Sequence, residues 1–280
     1  MRSEHTYEYP RVLSIAGSDS GGGAGIQADL KTFAALGCYG MTAITAITVQ
    51  NTLGVTGVHA VPPETVRAQI AAVMEDIGAD AVKIGMLHSP EIVRVVADAL
   101  RRYGVRHVVL DPVMVATSGD RLIAPETVQV MVHELFPLVS LVTPNLDEAA
   151  LLLGREITSA EQLEAAARDL LALGAPAVLL KGGHLRGDTV IDVLAWREGE
   201  MQRLQSARIA SRNLHGTGCT LSSAIAANLA LGETLPRAVA LARKYVLQAI
   251  TTGAEVRTGA GHGPLNHGHA PVAMHKRMSG

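Results

Sequence analysis

The sequence is poor in aromatic residues and in cysteine. Aromatic residues make up only 3% of the 280 residues, whereas hydrophobic residues make up 48%, so a core must consist mainly of valine, isoleucine, leucine and alanine. The two cysteines, Cys38 and Cys219, are too few and too far apart for a disulfide framework or a zinc site. This composition is typical of an α/β enzyme in a reducing compartment, and we expect a cytoplasmic protein.

The sequence also has no excess of either charge. Lysine and arginine number 24 against 26 aspartates and glutamates, which excludes the broad basic surface that nucleic acid requires, so any phosphate must be recognised locally. No apolar run reaches the length of a membrane span. Residues 1–10 carry charges where a signal peptide would be apolar, so we expect neither secretion nor membrane insertion.

Strand patterns and helical patterns alternate along most of the chain. The predicted strands are 11–16, 41–49, 55–61, 80–85, 107–110, 138–142, 177–180, 189–196 and 202–210, and the predicted helices are 26–36, 62–77, 89–103, 124–135, 146–153, 160–173, 222–231 and 235–256. This alternation predicts crossover connections and a mostly parallel sheet with helices on its faces. We expect a single domain at 11–270, a flexible lead-in at 1–10 and a flexible tail at 271–280.

A glycine-containing turn precedes the alanine-rich helix near the end of the chain. It reads His215-Gly216-Thr217-Gly218-Cys219-Thr220, and its glycines allow a tight turn that exposes backbone N–H groups at a helix start. Such groups and the helix dipole can hold a phosphate. A thiol at a helix N-terminus ionises more readily than usual, so Cys219 is a candidate base, although such a turn is as often only a helix cap.

Polar residues follow several of the predicted strands directly. They are the glycine-rich loop 17–25, Gln50, Met86, Asp111, Asn145 with Glu148, Lys181 and the turn 216–219. Ligands of parallel sheets bind outside the carboxyl ends of the strands, so one cleft can hold all of these residues. They suit phosphoryl transfer, with Lys181 near nucleotide phosphates and Glu148 near Mg²⁺. For Asp19 and Asp29, a capping role and a ligand role are equally open.

Six motifs occur in the order found in one family of kinases. They are Ala16-Gly17-Ser18-Asp19 with Gly22-Gly23-Ala24-Gly25-Ile26-Gln27-Ala28-Asp29, Lys83-Ile84-Gly85-Met86-Leu87, Asp111-Pro112-Val113-Met114, Thr143-Pro144-Asn145, Lys181-Gly182-Gly183-His184 and His215-Gly216-Thr217-Gly218-Cys219-Thr220. Over roughly residues 11–270, the chain therefore resembles the hydroxymethylpyrimidine/phosphomethylpyrimidine kinases of thiamin biosynthesis. The resemblance implies a three-layer ribokinase-like fold, two successive ATP-dependent phosphorylations, a small pyrimidine substrate and a homodimer.

The resemblance also implies roles for individual residues. The pyrimidine site would include Ala24, Asp29, Thr48, Gln50 and Met86, and the ATP and Mg²⁺ side would include Asp111, Asn145, Glu148, Lys181 and Thr217. Gly216 and Gly218 would form the anion hole, Cys219 would replace the aspartate base of most ribokinase-like enzymes, and His215 would assist it. Thr117 stands where many relatives have lysine, which removes an expected cationic contact with phosphate.

Two other functions fit the same residues. A pyridoxal kinase of this family would phosphorylate a substrate of similar shape, although Gln50 suits an aminopyrimidine edge better. A non-catalytic regulator that binds pyrimidines or nucleotides could share the fold. The presence of Glu148, Lys181 and Cys219 favours catalysis over this last alternative.

Overall fold

A nine-stranded sheet forms the centre of the protein, and the computed structural model describes residues 7–114 and 123–278. The strands are β1 (Tyr7–Glu8), β2 (Arg11–Asp19), β3 (Tyr39–Asn51), β4 (Gly54–Ala60), β5 (Ala81–Ile84), β6 (His107–Leu110), β7 (Leu141–Val142), β8 (Ala177–Leu180), β9 (Thr189–Trp196), β10 (Met201–Ala207) and β11 (Arg277–Met278). The central sheet has the order β10-β9-β8-β7-β6-β5-β2-β3-β4.

The six strands between the two edges of the sheet run parallel. Strands β3, β2, β5, β6, β7 and β8 pair in parallel, whereas β4 at one edge and β9 and β10 at the other pair antiparallel. The predicted fold class is therefore confirmed. All six parallel strands have their carboxyl ends at the same border of the sheet, and this border is where the polar residues were expected to meet. Thr117 lies outside the described residues.

Helices cover both faces of the sheet. They are α1 (Gly25–Ala35), α2 (Pro63–Asp76), α3 (Pro90–Tyr103), α4 (Pro125–Glu134), α5 (Leu146–Leu153), α6 (Leu163–Ala172), α7 (Thr217–Ala230) and α8 (Leu235–Gly253). Strand residues alternate between the two faces: Leu13 packs with α2 to α6, whereas Val12 packs with α1, α7 and α8. Burial on both faces explains why the parallel strands are nearly continuous apolar runs.

Most predicted elements are present; the start of α7 differs by five residues from the prediction and the start of β7 by three. The strand predicted over 138–142 is only Leu141–Val142, because Phe136–Leu138 forms a turn of 3₁₀-helix instead. Pro137 has no N–H to give to a neighbouring strand, so a strand cannot extend through it. Helix α7 begins at Thr217, five residues before the alanine-rich run, and this places Cys219 within the first turn of the helix.

The two ends of the described chain are held against the body of the protein. Tyr7–Glu8 pairs antiparallel with Arg277–Met278, and the backbone N–H of His275 donates to the carbonyl of Gly37 at 2.8 Å. Backbone hydrogen bonds therefore join both ends to neighbouring segments, and the flexibility expected at 1–10 and 271–280 stays a prediction. Among the described residues, no helix combines the length and apolarity needed to cross a bilayer.

Candidate active site

A cleft of about 590 Å³ lies at the carboxyl border of the parallel strands. Its walls bring together almost all the residues predicted for the site: Ala24, Thr48, Gln50, Met86, Asp111, Asn145, Glu148, Lys181, His215, Gly216, Thr217, Gly218 and Cys219. These residues are distributed over more than half of the chain, and the sheet topology alone makes them neighbours. Asp29 is the predicted site residue that does not line the cleft.

The turn before α7 brings the two glycine-rich segments into direct contact. Gly216 caps the helix with φ of +83°, and a Cβ atom there would collide with the carbonyl oxygen of Gly23. A Cβ on Gly218 would lie 3.1 Å from Nζ of Lys181. The N–H groups of Gly218 and Cys219 belong to the first helical turn and have no acceptor within the helix. These N–H groups lie beside a cationic side chain, and their binding of an anion stays a prediction.

The expected low pKa of Cys219 is wrong for this structure. Burial raises the pKa of the thiol to about 11, and the nearby carboxylates of Asp29 and Asp111 add to this effect, while Lys83 opposes it. The helix N-terminus was expected to dominate, but desolvation of a thiolate is the larger influence here. At neutral pH the thiol therefore carries its proton.

Lys181 and two carboxylates form the charged part of the cleft. Its ammonium donates to Oδ1 of Asp111 at 2.8 Å and lies 4.0 Å from Oε2 of Glu148. Burial acts to raise the pKa of Asp111, but the pKa is lowered overall because Lys181 and Lys83 stabilise the carboxylate charge. Burial raises the pKa of Glu148 to about 7, although the charge of Lys181 opposes the shift. Lys181 therefore stays charged, while Glu148 is poised between its two protonation states.

Asn145 and Glu148 cap the start of α5. The Asn145 side chain accepts from the backbone N–H of Glu148 at 2.9 Å, and the Glu148 carboxylate accepts from the backbone N–H of Asn145 at 2.7 Å. This reciprocal capping box fixes both side chains at the cleft wall. Their placement beside Lys181 agrees with the sequence-based expectation, and their roles toward a ligand stay predictions.

Gln50 and His215 meet at the other end of the cleft. Nε2 of Gln50 lies 3.3 Å from Nε2 of His215, which lies 3.0 Å from Oδ2 of Asp19. The hydroxyl of Thr48 is 3.0 Å from the Gln50 amide oxygen. Met86 is nearly buried, and its methyl group packs so closely that a Cβ on Gly17 would lie 2.8 Å from it. A polar amide edge beside a thioether suits a flat polar ring.

The structure separates the two aspartates that the sequence left open. Asp19 lines the cleft and accepts hydrogen bonds from the backbone N–H groups of Gly21, Gly23 and Ala24, so it shapes the glycine loop. Asp29 is completely buried, and Ser14, Lys83 and Ser223 all contact its carboxylate. The side chain of Asp29 points from α1 into the core, and its expected contact with substrate stays a prediction.

The cleft has an aliphatic end that the sequence analysis missed. It is lined by Val190, Ile209, Leu214, Val246, Leu247 and Ile250, with Arg243 donating to Asp192 at 2.8 Å beside them. The sequence analysis assigned the apolar stripe of α8 to the core, and Ala238, Ala242, Tyr245 and Ala249 are indeed buried. Beside that stripe lie Val246, Leu247 and Ile250. The rotation of α8 about its own axis decides that these three side chains face the cleft.

Sequence comparisons match this chain to phosphomethylpyrimidine kinases. A family model described as phosphomethylpyrimidine kinase matches residues 19–266. The hydroxymethylpyrimidine/phosphomethylpyrimidine kinase of Rhizobium meliloti is 54% identical over 259 residues, which are 92% of this chain and 97% of that protein.

Solved structures of related kinases share the fold. Phosphomethylpyrimidine kinase from Clostridium difficile is 44% identical with a TM-score of 0.76, over 86% of this chain and 99% of that one. Pyridoxal kinase from Staphylococcus aureus, in complex with AMP-PCP and pyridoxal, is 33% identical with a TM-score of 0.86, over 97% of this chain and 98% of that one.

Proposed function

Because the chain belongs to the phosphomethylpyrimidine kinase family, we propose that it phosphorylates 4-amino-5-hydroxymethyl-2-methylpyrimidine with ATP and then converts the monophosphate into the diphosphate. Both reactions belong to thiamin biosynthesis. One observation carries the proposal: a single cleft joins the polar end at Gln50 to the turn at 216–219 and to Lys181. This arrangement can hold a pyrimidine and a polyphosphate with their reacting groups facing each other.

The residues near α7 supply the electrostatic part of the reaction. N–H groups of Gly218 and Cys219, together with the ammonium of Lys181, stabilise the negative charge of the transferred phosphoryl group. Asp111 holds that ammonium in place at 2.8 Å. The aliphatic end of the cleft accommodates the nucleoside of ATP, and Thr217 and Asn145 lie near its phosphates.

The two phosphorylations place different demands on Cys219. In the first, the Cys219 thiol releases its own proton to solvent, and the resulting thiolate accepts the proton that the hydroxymethyl group loses as its oxygen attacks the γ-phosphorus. In the second, a phosphate monoester with a second pKa near 6 already presents an anionic oxygen at neutral pH. The base is therefore needed mainly for the alcohol, and His215 contributes by positioning the Gln50 end of the cleft.

We also propose that Mg²⁺ binds with ATP beside Glu148. The described residues contain no group of three or more acidic, histidine or cysteine side chains that could hold a metal alone. Mg²⁺ commonly takes only one or two carboxylates and completes its coordination with phosphate oxygens and water, so Glu148 and Asp111 fit it. Bound Mg²⁺ would neutralise charge on the phosphates.

A direct assay separates the candidate activities. ATP consumption is measured with hydroxymethylpyrimidine, with its monophosphate and with pyridoxal, each over a range of concentrations. We expect turnover with both pyrimidines and a higher kcat/KM for them than for pyridoxal. Turnover with pyridoxal alone would establish the second candidate, and no turnover with any of the three would indicate a binding protein.

One observation favours pyridoxal as a second substrate. The pyridoxal kinase of Staphylococcus aureus covers 97% of this chain at a TM-score of 0.86, so a pyridine with a hydroxymethyl arm fits the same overall cleft shape. Gln50 distinguishes the two substrates, because its amide pairs with the donor and acceptor edge of an aminopyrimidine.

We further propose a homodimer that forms through the edge of the sheet at β4. Ile47 and Val49 project from the same face of β3 and are 49% and 62% exposed, and β4 leaves one side of its backbone unpaired within the sheet. An exposed apolar face at an open edge favours pairing with a second copy. In sedimentation, the unmodified protein should have twice the monomer mass, and Val49→Asp should have the monomer mass. Val272→Asp, a change at another exposed valine, should leave the dimer intact. A monomeric unmodified protein would contradict the dimer.

Both cysteines are free thiols, as a reducing compartment would keep them. We therefore propose a cytoplasmic location, and recovery of the protein outside the cytoplasmic fraction of fractionated cells would contradict it.

A further inference from the structure

A buried ion pair joins β5 to α1, two of the elements that α7 packs against. Nζ of Lys83, on β5, lies 2.9 Å from both carboxylate oxygens of Asp29, on α1, and both side chains are completely inaccessible to solvent. Ser14 donates to the same carboxylate at 2.5 Å and Ser223 donates at 2.6 Å. Burial opposes the charge of Lys83, but the carboxylate of Asp29 outweighs this and raises the pKa of Lys83. The ammonium is therefore charged and fixed.

Ser223 links this ion pair to Cys219. The two residues are four positions apart in α7, so they lie on the same face of the helix, with Cβ atoms about 5–6 Å apart. Because Ser223 touches Asp29, and Asp29 touches Lys83, the ammonium lies close to the thiol. Lys83 and Cys219 also border the same cleft.

The charged groups around the thiol act in opposite directions. Lys83 on β5 favours the thiolate, whereas Asp29 on α1 and Asp111 after β6 disfavour it. Lys181 after β8 also interacts with the sulfur, and the backbone N–H of Gly25 donates toward it. Lys83 also interacts with Asp111, but the hydrogen bonds of its ammonium that the structure describes go to Asp29.

We propose that Lys83 is a positioning residue for phosphorylation of the alcohol: its ammonium, held by Asp29, stabilises the thiolate of Cys219 that takes up the substrate proton. The proposal rests on the proposed kinase function. Cys219 first releases its proton to solvent, and the thiolate then accepts the hydroxyl proton as the oxygen bonds to the γ-phosphorus and the bond to the ADP oxygen breaks. Lys83 itself gains and loses no proton.

The test measures the thiol directly, without the kinase reaction. The rate of Cys219 alkylation by iodoacetamide is followed from pH 7 to pH 10 by mass spectrometry of the peptide that contains it. Lys83→Met should slow alkylation at pH 8 about tenfold or more, because a unit charge this close shifts an ionisation strongly. Asp29→Asn should accelerate it, because the carboxylate disfavours the thiolate. If the ion pair were purely structural, the alkylation rate would change in the same direction in both variants.

Two further variants keep the test decisive if Lys83→Met fails to fold. The double variant Lys83→Met/Asp29→Asn replaces the ion pair by two neutral side chains. Its Cys219 should be alkylated no faster than Cys219 of the unmodified protein and more slowly than Cys219 of Asp29→Asn. Ser223→Ala removes a neutral hydrogen bond from the same carboxylate, and its rate should stay within about threefold. Equal rates in Asp29→Asn and the double variant would overturn the proposal.

The kinase assay distinguishes this proposal from the proposed function. If the unmodified protein phosphorylates neither pyrimidine while the alkylation rates follow the expected order, the function is wrong and the electrostatic effect of Lys83 stands. If both pyrimidines are phosphorylated but Lys83→Met leaves the alkylation profile unchanged, the function stands and the role of Lys83 is refuted.

Discussion

Cys219 lies in the first turn of α7, and burial holds its pKa near 11. A thiol of this kind is a poor base unless neighbouring cations favour its anion. This requirement makes the two phosphorylations unequal, because an alcohol must give up a proton and a phosphate monoester need not. If Cys219 is the base, as proposed, its side chain is needed in one of the two reactions and not in the other.

Replacing the thiol should separate these reactions. Cys219→Ala is expected to reduce the single-turnover rate with hydroxymethylpyrimidine about 100-fold or more, the usual size of a general-base contribution. The rate with the monophosphate should fall by less than about tenfold. Cys38→Ala, which changes a buried cysteine packed against α7, should leave both rates near those of the unmodified protein. Equal losses for the two substrates would refute the role of Cys219.

The start of α5 couples a helix cap to the nucleotide side of the cleft. Asn145 and Glu148 satisfy each other's backbone N–H groups, and Glu148 lies 4.0 Å from Lys181. A change in the cap should therefore affect both the helix and the position of a carboxylate in the site.

Asn145→Ala is expected to destabilise the protein by about 1 kcal/mol, the usual cost of removing an N-cap side chain. It should also lower kcat/KM for ATP about tenfold, because Glu148 loses its fixed position. Ser89→Ala is the matched control: Ser89 caps α3 by accepting from Ile92 at 3.4 Å, outside the cleft. Urea unfolding should show similar losses of stability in Asn145→Ala and Ser89→Ala. Steady-state kinetics should show a lower kcat/KM for ATP only in Asn145→Ala. Unchanged kinetics in Asn145→Ala would contradict the coupling.

The sequence predicted this arrangement of elements because the local patterns are strong. Four-residue apolar runs identified β6 and β8, and the rule that ligands bind at the carboxyl ends of parallel strands gathered the polar residues of the cleft. The rotation of a helix about its axis is much harder to predict. It decides that Asp29 points into the core and that Val246 faces the cleft, and it depends on packing between distant segments.

The protonation of Glu148 affects the stability of the whole molecule. Its pKa is raised to about 7 by burial in the folded state, above the ordinary value of 4.5. Protonation of this carboxyl therefore stabilises the fold below about pH 4.5, and this contribution is lost as the pH rises through 7. Residues 11–270 are predicted to unfold as one unit, and a single transition in the urea curves would agree with this prediction.

Glu148→Gln should remove this pH dependence. Between pH 5 and pH 8 the unmodified protein loses the stabilisation from the protonated carboxyl, and the variant does not. The free energy of unfolding of the variant minus that of the unmodified protein should therefore rise by about 2 kcal/mol over this pH range. Urea unfolding at the two pH values measures the difference. Glu126→Gln, at an exposed carboxylate in α4, should show almost no such change. A constant difference for Glu148→Gln would show that its carboxyl titrates normally.

The contact between Gly23 and Gly216 has a consequence for how the protein is made. These glycines are separated by most of the chain, yet their backbones touch at the wall of the cleft that Gly216 lines. During synthesis the glycine loop leaves the ribosome long before α7 exists, so the ligand-binding site is among the last features to form. Ligands can then act only on molecules that have completed α7, and their binding selectively retains those molecules in the folded state.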